Sequence, residues 1–463
     1  MTTPDLPPEA LLQVATYLSQ DSYVACTRVC KSWNLVFEEL VWCNVKLMDP
    51  SRMPPPDALL RHRDLIKDLS FKLPKFHLAP DYFTLQYPNL RSLMVDCEYD
   101  DSCLNAMVSN HTSLICFELA TFLRMASLSL WKSLSGLENL SVLIIDERVE
   151  FGDDGFGQIN ARLESLQLEN VFLWDPDPNT LRSMIFPFIR ELRLRNIDKQ
   201  YFDMVLDLME RCPGLEILEW GTIQLLCLER FSRLASSRTW PRLRELTLST
   251  LGRFHVVDMN LAVVLQMMTH IDTISIKRGF GPLSMAALRP HFAMVRKLEL
   301  SDGRVTSEMV QEILTSCPLL EVLSAPWLRS EDFLNGRPWV CTDLRRLEVD
   351  LVLRDIDRVR PLILERLSQL THLNHLLLGM FPVDDDGNDV ITPGLEDHFE
   401  MLAILCDREH FSVCAIVNFM EKEVEWMLRG WREWTHFEGH LNMDPKIDAA
   451  LRQRLRDHGI VCD

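Results

Sequence analysis

A short phrase, apolar-x-x-apolar-x-apolar, recurs from near the front of the chain to near its back. Leu163-Glu164-Ser165-Leu166-Gln167-Leu168 is a clean copy, and Ile189-Arg190-Glu191-Leu192-Arg193-Leu194 follows it. Other copies start at Ile66, Leu90, Leu114, Leu140, Leu215, Leu243, Ile271, Val295, Leu320, Leu344 and Leu373, so that successive starts lie 23 to 29 residues apart. A single copy occurs by chance on many helices. About thirteen copies at near-constant spacing restrict the chain to an array of like units. A unit this short cannot bury its apolar face alone, so neighbours must stack.

The last three positions of each phrase alternate apolar, polar, apolar, which is strand periodicity. Leu166 and Leu168 are therefore expected in the core, with Gln167 and Glu169 outside. Between phrases the spacing turns helical. Phe202, Val205, Leu206, Met209 and Cys212 share one helix face, as do Val310, Ile313, Leu314 and Cys317. Each of these helices meets a Cys-Pro pair, Cys212-Pro213 or Cys317-Pro318, and proline cannot continue a helix. The unit is strand, turn, helix, turn. Phrase and period together resemble leucine-rich repeats. The expected fold is an α/β solenoid, a horseshoe of about 13 or more strand-helix units. Its inner strand face would be on the order of 60 Å long at the parallel-strand spacing. Such a face suits the gripping of another macromolecule.

Length alone, 463 residues, would suggest about three compact domains, but a solenoid grows without splitting. The formal net charge of −19 argues against a general nucleic-acid binder and weakly favours a basic partner. Met1–Pro8 is acidic and proline-rich, unlike a secretion signal, and no apolar run approaches the ~18 residues of a membrane helix. The 13 cysteines include no Cys-x-x-Cys and no Cys/His set at zinc spacing, so they are expected as reduced thiols filling the core. An intracellular location, cytoplasm or nucleus, is the corresponding expectation.

Residues 5 to 47 differ from the rest. Asp5, Pro7 and Glu9 mark a helix start. Leu11, Val14 and Leu18 form one apolar stripe; Tyr23, Cys26, Val29, Cys30 and Trp33 form a second; Val36, Phe37 and Leu40 continue towards Trp42. Three short helices of this size bury too little surface to stand alone and need a partner or the next domain. Leu6-Pro7-x-Glu9-x-Leu11-x-x-Val14-x-x-x-Leu18 followed by Val29-Cys30-x-x-Trp33 resembles an F-box. Ala10 and Ala15 stand where that family more often has larger aliphatics, and Val41 separates Leu40 from Trp42. The resemblance implies docking on the Skp-type adaptor of a Skp–cullin–F-box ubiquitin ligase, with Leu6, Pro7, Leu11, Val14, Leu18, Val29, Cys30 and Trp33 forming or supporting the adaptor surface. An F-box followed by leucine-rich repeats is itself a known family arrangement. The competing reading is a helical cap over the open end of the first repeat.

The resulting domain expectation is an F-box over 1–48, a stiff Pro-rich connector over 49–64, repeats over 65–381, and degenerate repeats with a C-terminal cap over 382–463. In the last region Asp384–Asp389 reads as an exposed acidic loop, because its glycine is misplaced for a calcium loop. Phe399–Leu405 reads as helix, Ala415–Val417 as strand, and Val424–Trp431 as helix, with Trp426, Trp431 and Trp434 packing together.

Outward strand positions are mostly acidic, but Arg193 and Arg195 make a local basic spot. Arginine favours two-pronged recognition of carboxylate or phosphate. With Gln167, Glu169, Glu219 and Lys277 they are the candidate substrate-binding residues; the competing reading is a solvated face with ion pairs to Glu169 or Glu219. No phosphate loop, nucleophile elbow, zinc-protease helix or kinase set occurs, so no catalytic residue, metal ligand or cofactor is assigned. The expected role is a non-catalytic substrate receptor of a ubiquitin ligase, marking a bound protein for proteasomal degradation. The alternative is a scaffold or inhibitor that sequesters a basic protein.

Overall fold

The computed structural model describes residues 6–126, 128–149, 162–170, 185–223, 225–236, 239–250, 254–301, 304–329, 331–332, 336–353, 362, 365–367, 369–373, 375–382, 410–413, 421–430, 435–439, 441 and 444–462. The chain divides into two units, Met1–Leu215 and Glu216–Asp463.

The first unit opens with three helices, α1 (Pro8–Ala15), α2 (Gln20–Cys26) and α3 (Lys31–Cys43). Strands follow at β1 (Asn44–Leu47), β2 (Asp68–His77), β3 (Ser92–Glu98), β4 (Cys116–Ala126), β5 (Val142–Val149), β6 (Ser165–Glu169) and β7 (Glu191–Arg195). Each pairs in parallel with the next. The second unit holds β8 (Ile217–Ile223), β9 (Glu245–Thr250), β10 (Thr273–Ile276), β11 (Lys297–Leu300), β12 (Val322–Arg329), β13 (Arg346–Leu353), β14 (His375–Pro382), β15 (His410–Val413), β16 (His436–Gly439) and β17 (Val461–Cys462). These too are parallel and stacked in chain order. Every one of the thirteen phrases has become a strand, β2 to β14.

The phrase works as period-two geometry requires. Its first residue is never more than 2% exposed, from Ile66 to Leu373. Leu69, Leu93, Phe117, Leu143, Leu166 and Leu192 stand in register as one buried row, and Phe71, Val95, Leu119, Ile145, Leu168 and Leu194 are the buried row beyond it. The turn entering each strand is tied to its predecessor by a repeated backbone device. The Lys67 carbonyl accepts from the amides of both Arg91 (2.7 Å) and Ser92 (3.1 Å). Arg91 does the same for Ile115 and Cys116, and in the second unit Arg244 does so for Asp272 and Thr273. Buried turns thus leave no orphaned amide at these points.

The two helices read from spacing are present as Phe202–Glu210 and Ser307–Ser316, with Phe202, Val205, Leu206 and Met209 buried on the first and Val310, Ile313 and Leu314 on the second. Cys212 and Cys317 are fully buried just past their ends. Burial pushes the Cys97, Cys212, Cys317 and Cys341 thiols up to about 12, which keeps them protonated and inert as packing groups. The described cysteines are all free.

Three differences from the sequence reading have physical causes. The array begins one strand early, because Trp42-x-x-Val45-x-Leu47 is itself a copy of the phrase. Val45 and Leu47 are buried on β1, which is in register with β2 from Asn44↔Asp68 to Leu47↔Phe71. Second, residues 49–64 are not a spacer. They return from β1 to β2 through a short 3-10 turn (Pro50–Arg52) and a helix (Pro56–Arg61) whose Leu59 is fully buried. Third, the C-terminal region carries strands at His410–Val413, His436–Gly439 and Val461–Cys462 that the spacing did not give, while Ala415–Val417, expected as a strand, lies outside the described residues. Glu421–Gly430 is helical, largely as the spacing suggested, and Pro445–Asp457 is a further helix. Asp5, the acidic loop at 384–389, the helix at 399–405, and Trp431 and Trp434 lie outside the described residues, as does the side chain of Trp426.

Candidate functional site

Two surfaces are candidates, the outer side of the three N-terminal helices and the solvent side of the strands. The helices close on a small core of Leu11, Ala15, Cys26 and Phe37, against which Leu18, Tyr23, Trp33, Val36 and Leu40 pack. Trp33 stacks on Phe37 with ring centroids 5.4 Å apart, and Tyr23 lies against the same ring at 5.8 Å. The Tyr23 hydroxyl donates to the Ala15 carbonyl (3.1 Å), and Asn34 Nδ2 donates to the Thr27 carbonyl (3.0 Å). Pro7 occupies the N-cap position of α1 without a side-chain cap, and Pro8 sits in the first turn, where its missing amide costs nothing.

The helices are joined firmly to the repeats. The last turn of α3 passes directly into β1, and the Lys67 amide donates to the Cys43 carbonyl at 3.0 Å. Trp42 stacks on His62 at 4.2 Å, whose Nδ1 lies 3.5 Å from Glu38 Oε1. Lys67 Nζ lies 3.6 Å from Glu39 Oε1.

Of the eight residues assigned to the adaptor surface, Leu6, Pro7, Val14 and Val29 are exposed. Leu18, Cys30 and Trp33 are half-buried, and Leu11 is fully buried, so it supports the helices from within. Cys30 is the N-cap residue of α3, with Sγ 3.1 Å from Ser32 Oγ. The spacing argument missed Leu12, Tyr17, Val24 and Leu35, which are also exposed, Tyr17 by 84% and Leu35 by 74%. Leu12, Val24 and Leu35 lie off the core stripe of their helices, and Tyr17 stands just past the end of α1. An apolar residue off that stripe is the signal that would have found them.

On the strand side, Gln167 and Glu169 of β6 stand in register with Arg193 and Arg195 of β7. Arg193 Nε donates to Glu191 Oε1 of its own strand at 2.5 Å, and Arg195 Nη1 lies 3.7 Å from Glu169 Oε2. Both guanidiniums therefore meet a carboxylate on this face. Beside them the face is acidic. Asp146 accepts from Asn170 Nδ2 at 2.6 Å. Asn170 takes the left-handed backbone (φ 51°) that asparagine tolerates. Burial, opposed by Lys72 and reinforced by Asp146, raises the Asp96 carboxyl above the ordinary carboxylate value. Glu118 is raised by burial too, with Asp96 and Asp146 adding to it against Lys72.

Glu219 and Lys277 belong to the second unit. Glu219 is half-buried in β8, in register with Thr247. Lys277 is exposed just past β10, its amide donating to the Leu248 carbonyl at 3.0 Å. In β13 the Glu348 carboxyl is held down to about 2, first by the His375 imidazole beside it, then, against the opposing effect of burial, by Ser324 and Arg346. Among the described side chains, no three His, Cys, Asp or Glu stand together as a metal site. No described helix is long and apolar enough to cross a membrane.

Residues 3–48 match the F-box-like family. The N-terminal module is an F-box-like domain. The match takes in the whole of β1 and ends one residue past it, so the F-box match includes the first strand of the repeats. The chain joins this F-box to a leucine-rich-repeat fold. No curated protein sequence matches the chain. Among solved structures, a leucine-rich-repeat protein of Leptospira interrogans aligns at 14% identity over 91% of this chain and 100% of its own, with a TM-score of 0.39. The yeast Rad7–Elc1 complex aligns at 14% identity over 88% of this chain and 86% of the matched chain, with a TM-score of 0.41.

Proposed function

We propose that the chain is the substrate-recognition subunit of a Skp–cullin–F-box ubiquitin ligase. The observation that carries this is the apolar surplus of the F-box. Leu6, Leu12, Val14, Tyr17, Val24, Val29 and Leu35 are all exposed within some thirty residues, on or beside helices whose own core is already filled. An exposed apolar surface of this density marks a protein-interaction site. In an F-box-like domain the fitting occupant is a Skp-type adaptor, and through it a cullin. The strand side of the repeats would hold the protein to be ubiquitinated. Because α3 runs straight into β1, a bound substrate would keep a set position relative to the adaptor. The chain's contribution is then proximity, which can replace much of the entropic cost of bringing two reactants together. Cytoplasm or nucleus is the compartment this role requires.

The test is co-purification of the full chain with a Skp-type adaptor, wild type against Tyr17→Ala/Leu35→Ala. Both side chains lie off the core, so circular dichroism should show both proteins folded alike. The expected result is adaptor capture by wild type and a loss of at least about tenfold in affinity, roughly 1.4 kcal/mol, in the variant. A folded wild type that captures no adaptor would reject the ligase reading and leave a repeat scaffold whose helices serve as an end cap.

A further inference from the structure

In the second unit β12 carries a proline in its interior, and its ladder with β13 slips there. Ala325 pairs with Val349 and Trp327 with Asp350, so Pro326 and Trp327 together oppose Asp350. Proline has no amide to give a ladder, and within a sheet it is confined to edge strands, strand starts and bulges. The extra residue changes which side chains face out. Leu323 and Ala325 are buried, and strict alternation would send Trp327 inward after them. Instead Leu328 takes the next buried place, with no exposed surface, and Trp327 is left half-buried on the solvent side with Asp350. Bulges that re-aim one side chain in this way recur next to active sites.

Asp350 is the second, independent observation. The other carboxylates on this side of β11 to β13 are answered within the chain. Glu299 Oε1 lies 3.0 Å from Lys297 Nζ. Glu348 Oε1 accepts from Arg346 Nε at 2.8 Å and lies 3.2 Å from His375 Nε2. Among the described residues, Asp350 alone of the three has neither a hydrogen-bond donor nor a cation as partner. Arg329, two residues beyond Trp327, acts on Glu308. Burial raises the Asp350 carboxyl above its ordinary value, and no neighbouring charge opposes the rise. A half-buried carboxylate without a partner is a destabilising group that a bound cation would relieve. Its register neighbour on the other side is Gly379, which has no side chain to fill the space beside it. Asp350 is thus flanked by a tryptophan on one strand and by no side chain on the next, with neighbouring strands about 4.8 Å apart.

We propose that Trp327 and Asp350 hold an arginine side chain of the protein bound on the strand face. This site presupposes the receptor role, in which the strand face holds the substrate, and gives that substrate a chemical mark. An arginine fits both residues at once. Its planar guanidinium stacks on an indole face and presents paired N–H donors to a carboxylate. A lysine ammonium is a compact, strongly hydrated charge that does either less well. The formal net charge of −19 adds a long-range attraction for cationic segments.

The experiment is fluorine NMR of the full chain labelled with fluorotryptophan, titrated with the peptide acetyl-Gly-Arg-Gly-amide. The chain has 11 tryptophans, and the resonance absent from Trp327→Phe is that of Trp327. The expected result is a saturable shift of that resonance with a Kd on the order of a few millimolar. The shift should be absent with the citrulline analogue, which keeps the shape and lacks the charge. Binding should be at least about fivefold weaker in Asp350→Asn, and likewise for acetyl-Gly-Lys-Gly-amide on wild type. No shift with the arginine peptide, an equal response to citrulline or lysine, or undiminished binding in Asp350→Asn overturns the proposal. Should Asp350→Asn fail to fold, the citrulline and lysine titrations of wild type decide. No adaptor takes part, so adaptor capture can fail while this site binds, and the site can fail while capture succeeds.

Discussion

In the repeats, Leu166 and Leu192 are sealed between neighbouring strands with no exposed surface; in the F-box, Leu35 is 74% exposed although it belongs to a helix that also supplies the fully buried Phe37. Both regions are rich in aliphatic side chains, and they use them differently. A repeat finds its partner in the next repeat, so its apolar residues are consumed within the chain. The F-box has three short helices around a handful of core residues. What is left over faces water, and apolar surface facing water is the cost a protein accepts where another protein is to bind. The comparison teaches that the same residue type means stability in one region and recognition in the other, and that position relative to the core stripe tells them apart.

The sharpest way to break this comparison is to truncate one leucine of each kind. Leu166→Ala should lower stability by about 2–5 kcal/mol, because a fully enclosed site cannot collapse around the cavity. Leu35→Ala should change it by less than about 0.5 kcal/mol. Urea midpoints of the two variants check both, and a large loss in Leu35→Ala would show that this face is already occupied within the chain. A polar counterpart in the second unit is nearly as severe. The Asp258 carboxylate is buried and accepts from the amides of Gly281 (3.0 Å), Leu283 (3.1 Å) and Ser284 (2.9 Å) and from the Ser284 hydroxyl (2.6 Å). It caps the helix Pro282–Leu288 of the repeat that follows its own. Asp258→Ala orphans these donors and should cost about 3 kcal/mol, read from the same midpoints. An unchanged midpoint would mean that water takes over the cap.

A smaller effect depends on pH. His111 is buried in the first unit; its Nε2 accepts from the Tyr87 amide (2.9 Å) and its Nδ1 faces the Met107 carbonyl (2.5 Å). This pairing needs a neutral ring protonated at Nδ1. Burial lowers the imidazole below its ordinary value, against the raising effect of the Met107 hydrogen bond. As pH falls through about 6.5 the unfolded chain takes up this proton while the folded chain still resists it. The stabilisation is therefore complete above that pH and is lost progressively down to the folded value. Wild type should lose more stability than His111→Gln between pH 7.5 and 5.5. Equal slopes would remove His111 as the cause.

How much of this was legible in the sequence varied with the physics. The strands β2 to β14 were readable because a period of two and a repeat near 25 residues reinforce each other, and each phrase names its own core positions. β1 was not read, although Trp42-x-x-Val45-x-Leu47 carries the phrase, because the helical stripe of Val36, Phe37 and Leu40 runs into it without a break. The F-box core was legible as stripes. Tyr17 and Leu35 were not nominated, since a stripe argument finds what is inside and leaves out what projects. At Arg193 and Arg195, partners were sought only across strands. Glu191, two residues back on the same strand and hence on the same face, was overlooked.

That last pair gives the finest test of the comparison between buried and exposed residues. Arg193 and Glu191 are about a third exposed, 34% and 27% by side chain, and ion pairs with that much water around them contribute little. Arg193→Ala should move the urea midpoint by less than about 1 kcal/mol, and the small change should shrink further in salt. The same would hold at Arg195, whose contact with Glu169 is longer. If the arginines matter little to folding, their sequence is free to follow whatever the strand face binds, as that of the Leu166 row is not. A loss of several kcal/mol in Arg193→Ala would instead make the pair part of the framework, and this stretch of the face would then have to be removed from the candidate substrate surface.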